Sequence, residues 1–124
     1  MIRTAGLCVA LAALAAAAAT RADQPPQQLR QAFGNTILST YPDGRTARLW
    51  LQPNGSYTAQ GRRGDPSSGR WKIKGQRICL SQSRPFPAPF AFCTAVPSGG
   101  MGSTWSARAV TGETIRVKVV QGRM

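Results

Sequence analysis

The chain has 124 residues, with 16 Lys and Arg against 4 Asp and Glu and no histidine, for a formal net charge of +12. That length allows one small domain with a modest core. Without histidine the commonest base near neutral pH is missing, the carboxylates are scattered, and the cysteines lack the spacing of a metal knuckle, so neither catalysis nor a metal or other cofactor is expected.

The N-terminus predicts export. Met1 and Arg3 form a short positive start, Ala5 to Ala19 is almost wholly apolar, and Thr20-Arg21-Ala22 is a small-x-small site before Asp23. Residues 1–22 read as a secretory signal peptide, with cleavage after Ala19 as the alternative. The apolar run is shorter than the roughly 20 residues of a membrane span, so none is expected in the mature form. Cys8 lies within the leader and lacks the small residues that precede a lipidated cysteine. The mature chain keeps fourteen basic residues and all four acids, with Cys79 and Cys93 as an even pair. In an exported chain such a pair predicts a disulfide, contributing on the order of 3 kcal/mol.

Residues 23–33 form a polar lead-in and a short helix. Pro25-Pro26 begins it, and 27–33 makes about two turns, with Leu29 and Phe33 on one face and Gly34 as the stop. Such a helix is unstable alone and must dock on the open end of a sheet or barrel.

From Asn35 onward, strands alternate with turns. Residues 36–41 are followed by Pro42-Asp43-Gly44, residues 45–52 by Pro53-Asn54-Gly55, and 56–62 by a turn over 64–68. The clearest hairpin follows, Gly69 to Leu80. Trp71 and Ile73 alternate with Arg70, Lys72 and Lys74, Gly75-Gln76 turns, and Ile78 and Leu80 flank Cys79. The prolines of 84–89 exclude a central strand. Strands are then expected at 90–96, 104–110 and 114–121, the last with Ile115, Val117 and Val119 on one face.

Eight short strands joined by tight turns predict an all-β antiparallel meander over residues 34–124. A small lipocalin-like barrel with a short N-terminal helix is expected, and a two-sheet sandwich is the alternative. The candidate interior is Tyr57, Trp71, Ile73, Trp105, Ile115, Val117 and Val119. Small inward residues (Ala47, Ala59, Gly61, Ala107, Ala109) either fill a taper or leave room for one ligand. Strict alternation turns Cys79 and Cys93 outward, whereas a bulge would turn them inward, and the pattern allows both.

Two surfaces invite a partner. Arg62, Arg63, Arg70, Lys72, Lys74 and Arg77 form a candidate anion-binding face, with a merely solvated face as the plainer reading. No aromatic interleaves with them on that same face, so sequence-specific nucleic-acid recognition is not expected. Pro85, Phe86, Pro87 and Pro89 form a stiff candidate recognition loop, or a lid whose Phe86 plugs one barrel mouth, which is the favoured reading. The glycine-rich stretch 97–103 lacks the Gly-Lys-Ser/Thr ending of a phosphate cradle and reads as a connection.

Gly34-Asn35-Thr36, Asn54-Gly55-Ser56-Tyr57, Gly69-Arg70-Trp71-Lys72, Ile78-Cys79-Leu80, Cys93, Thr104-Trp105 and Val120-Gln121-Gly122-Arg123 together resemble small exported single-disulfide proteins of Gram-negative bacteria with no assigned function. A more distant similarity is to periplasmic metalloprotease inhibitors and lipocalin-like barrels. An inhibitor would imply that Asp23 to Gln28 enters a protease cleft. The expectation is a non-enzymatic periplasmic or secreted binding module, for a small apolar ligand or an anionic envelope component. Alternatives are an inhibitor of a secreted or periplasmic protease and a structural envelope protein without a ligand.

Overall fold

The computed structural model describes residues 27–96 and 101–124. The expected leader, the start of the lead-in and part of the glycine-rich connection lie outside them. One helical turn, α1 (Gln27–Arg30), precedes eight strands: β1 (Thr36–Thr40), β2 (Thr46–Leu51), β3 (Ser56–Gln60), β4 (Pro66–Lys74), β5 (Arg77–Arg84), β6 (Phe92–Ala95), β7 (Thr104–Arg108) and β8 (Thr114–Val120).

Four hairpins share one turn. In 41–45, 52–56, 61–65 and 109–113, the first residue's N–H donates to the carbonyl of the fifth, and the fourth residue's N–H donates back to the first carbonyl. That fourth residue is always glycine, at φ of 85°, 92°, 88° and 94° for Gly44, Gly55, Gly64 and Gly112. A type I turn closed by a left-handed residue suits the twist of a hairpin and favours glycine, which has no Cβ to clash. Asp43 and Asn54 add side-chain acceptors for the N–H groups of Arg45 and Ser56.

The strands form one antiparallel sheet in the order β6-β5-β4-β3-β2-β1-β8-β7. β8 pairs with β1 (Ile37 opposite Val119, Ser39 opposite Val117), which curls the meander into a nearly closed barrel. β6 and β7 are the two sheet edges and meet at the remaining seam. The all-β barrel is thus as expected, and a two-sheet sandwich is excluded by the continuous ladder.

The interior divides in two. At one end Leu29 and Ala32 are fully buried beneath the strand ends, and Phe33 lies 5.8 Å from the Trp71 ring. Leu51, Tyr57 and Val119 join this cluster, and the Trp71 indole N–H donates to the Gln52 carbonyl at 2.8 Å. Burial of Tyr57 raises the pKa of its phenol. The other end holds the small residues and is hollow.

The disulfide takes the first of the two arrangements that alternation allows. Cys79 and Cys93 are register partners on β5 and β6, with Cα atoms 4.0 Å apart. Their neighbours Ile78, Leu80, Phe92 and Thr94 line the interior, so the bond lies on the outer face. β6 has a ladder on one side only, and the bond fixes this short edge strand to the sheet.

Some boundaries differ from expectation. The α-helix is one turn, because after Arg30 the chain continues in i→i+3 turns, with Ala32 buried, that deliver it to β1. β4 begins at Pro66, inside the expected turn. The tight 61–65 hairpin ends early, and proline is tolerated at a strand's first residue. β6 begins only at Phe92. Phe90 is 85% exposed and precedes it.

Gly69 sits where the β4–β5 register shifts. A Cβ there would overlap the Ser81 carbonyl oxygen and lie 2.9 Å from the Gln82 Cα, both backbone atoms with little room to yield. Gly69→Ala is therefore expected to destabilise the domain by about 2 kcal/mol or more. Urea unfolding checks this, and an unchanged midpoint would contradict the close approach.

Candidate functional site

The hollow end encloses a cavity of about 230 Å³. Ala47, Ala59, Gly61, Ala107 and Ala109, the small residues expected inside, all line it, with Trp105 and Val117 among the larger ones. Of the other expected interior residues, Ile115 also lines it, whereas Tyr57, Trp71, Ile73 and Val119 do not. Large side chains gather near α1 and small ones near the opposite mouth. The lining is mainly apolar, with hydroxyls from Ser39, Tyr41, Ser67 and Thr94, the Gln60 amide and two arginines, Arg48 and Arg108, as its polar part. Such a site suits a largely hydrocarbon molecule.

The mouth is bordered by the hairpin tips 41–45, 61–65 and 109–113, which contribute Tyr41, Gly61, Ala109 and Val110 to the lining. Arg62 ties the three together. Its Nη1 lies 3.0 Å from Glu113 Oε2 and 3.7 Å from Asp43 Oδ2, and its guanidinium stacks 4.3 Å above the Tyr41 ring. The Thr111 hydroxyl donates to the second Glu113 oxygen. Thr111, and then Arg62, hold the Glu113 carboxyl below the usual carboxylate range. The same hydrogen bond to Glu113 raises the pKa of Arg62. Arg62 therefore leaves the expected anion-binding set, since its charge is already matched. Sequence reasoning missed this clasp. The available signal was that Asp43 and Glu113 occupy equivalent tips of like hairpins.

The rest of that set is exposed. Arg63 lies in a hairpin tip, while Arg70, Lys72 and Lys74 alternate along the outer face of β4, and Lys74 faces Arg77 on β5. Arg70 donates to the Asn54 carbonyl and Arg77 to the Cys93 carbonyl. The proline loop also faces solvent. Pro85, Pro87 and Pro89 are exposed and Phe86 is 61% exposed, so Phe86 is not the plug of a barrel mouth. Gln82 holds the loop from below, donating to the Phe86 carbonyl while its own carbonyl accepts from Ala88.

A second polar node was also missed. Thr36 is fully buried. Its hydroxyl accepts from the Trp50 indole and the Met124 N–H and donates to the Gly122 carbonyl. Asn35 accepts from the Gly122 N–H. Gly34-Asn35-Thr36 and Gly122-Arg123, distant in sequence, are thus one structural unit that lays the C-terminal residues over β1 and β2. Comparisons with protein-family models, curated proteins and solved structures found no match to the chain.

The clasp carries a pH signature. Because the folded Glu113 pKa is depressed, its contribution to stability is complete above the unfolded-state value and is lost as pH falls through the folded one. Thermal unfolding should show that Glu113→Gln is less stable than the parent at pH 7 and that this gap shrinks as pH falls below the ordinary carboxylate range. A gap that persists unchanged at low pH would contradict the clasp.

Proposed function

We propose that the protein is an exported, non-catalytic binding module of the cell envelope, whose ligand is a small apolar molecule held in the open half of the barrel. The cavity is the observation that carries this reading, and the N-terminal leader pattern supplies export. Its size narrows the ligand. An apolar cavity of about 150 Å³ takes up benzene, whereas drug-sized pockets begin at about 300 Å³. A volume of about 230 Å³ falls between them and suits a molecule of roughly ten non-hydrogen atoms, such as a medium-length alkyl chain or a substituted single ring.

A second reading, contact with an anionic envelope component, rests on charge placement. Arg70, Lys72, Lys74 and Arg77 share one exposed outer region, while Asp43, Asp65 and Glu113 all sit in or beside hairpin tips at the mouth. Anion binding through such a face is salt-sensitive and needs no cavity. Protease inhibition rests on the segment 23–28, most of which lies outside the described residues, and no observation favours it.

Native mass spectrometry of the protein purified gently from the exported fraction separates these readings. The first predicts extra mass that leaves on denaturation, or uptake of added 1-octanol, with both lost in Ala59→Leu/Ala107→Leu. A bare oxidised mass and no octanol uptake would contradict it and favour a structural role. If the anionic reading holds, charge reversal of Arg70, Lys72 and Lys74 lowers retention on a heparin column. Equal retention would contradict that reading.

A further inference from the structure

A second concavity lies on the outside of the barrel, sharing Ala59, Gln60 and Ser67 with the cavity wall and bordering the β4 face that carries Arg70. It is an open groove of about 540 Å³, bordered by Trp50, Thr58, Gln60, Ser68, Arg84 and Arg123. The register explains its shape. Trp50 on β2 stands opposite Thr58 on β3, Thr58 opposite Ser68 on β4, and Ser68 opposite Arg84 on β5. These four positions form one row across four neighbouring strands, about 14 Å long at the usual strand spacing.

The two ends of the row carry cations. Arg84 closes one end, where β5 runs into the proline loop. At the other, the Arg123 guanidinium stacks 4.2 Å above the Trp50 ring and reaches the Thr58 hydroxyl at 3.5 Å. Trp50 is fixed in turn by its indole N–H, which donates to the buried Thr36 hydroxyl. Arg123 is thus positioned by a rigid support, so little entropy is lost when it binds. No carboxylate borders the groove, and neither arginine has an ion-pair partner among the described residues. Between the arginines lie two hydroxyls and, from Gln60, an amide.

We infer that this groove binds an acidic oligosaccharide. Sugar hydroxyls match the Thr58, Ser68 and Gln60 floor, and acidic groups spaced along the saccharide meet the arginine at each end. A guanidinium presents paired N–H donors that fit a carboxylate, sulfate or phosphate. A neutral sugar leaves both cations unmatched, and a single small anion engages only one.

The test is an amide NMR titration of the exported, oxidised protein with a heparin tetrasaccharide, and with maltotetraose as the neutral control. The heparin fragment is expected to shift the Trp50 indole N–H and the Thr58, Ser68 and Arg84 amides, while maltotetraose leaves them unmoved. Arg84→Gln/Arg123→Gln should weaken binding by about tenfold or more, since hydrogen bonds to charged groups are lost. Arg84→Gln alone, which leaves the C-terminal residues in place, should show part of that loss. Lys72→Gln/Lys74→Gln should preserve the groove shifts. The inference is overturned if the heparin fragment causes no shifts, if shifts appear only around Lys72 and Lys74, if maltotetraose binds equally, or if the arginine variants bind as the parent does.

Discussion

The β1–β8 ladder is the constraint on which the rest depends. The six pairings between consecutive strands would give only an open, twisted six-stranded sheet and a separate β7–β8 hairpin, with one apolar face left to find its own cover. Pairing the first strand with the last turns that face into an interior. It also brings the C-terminal residues beside Gly34-Asn35-Thr36, where Thr36 and Asn35 bind Gly122 and Met124. The break in the cylinder is displaced to β6 and β7, and the outer-face disulfide secures the shorter of these edges.

Closure creates an interior, and side-chain volume decides what it holds. Near α1, buried Leu29, Ala32, Leu51, Tyr57 and Val119 fill the space, with Phe33 against Trp71. Toward the mouth, alanine and glycine face one another and the space stays open. One end of the barrel thus supplies stability and the other a cavity. The Arg62 clasp ties the hairpin tips at that mouth without occupying the apolar space beneath it. Its geometry suits a rim better than an anion receptor, because the guanidinium is spent on Glu113 and Asp43.

The local chemistry made most of the architecture legible in the sequence. Alternation of Trp71 and Ile73 with Arg70, Lys72 and Lys74 marked one strand, and Asn54-Gly55 its kind of turn. The small residues at 47, 59, 61, 107 and 109 were legible as an inward set that could fill a taper or leave room, and they line the cavity. What stayed hidden depends on distant pairing. Nothing local shows that Arg62 meets Glu113, that Thr36 gathers Trp50 and the chain's last residues, or that Trp50, Thr58, Ser68 and Arg84 form one row. Phe86, expected as a plug, and Phe90, expected to open a strand, misled for a related reason. An aromatic flanked by prolines suggests a plug, but the loop over 85–91 projects outward from the β5 end and leaves both rings exposed.

The central claim is that the mouth-side half of the barrel is a real, accessible apolar cavity. Methyl NMR of the oxidised protein under increasing xenon pressure tests it most directly, because xenon enters dry apolar cavities without needing a polar partner. The methyl groups of Ile78, Leu80 and Val117, which line the cavity, should shift and saturate, while those of Leu29 and Leu51 at the filled end should not. Uniform shifts across both ends, or none at the cavity methyls, would contradict a hollow barrel half.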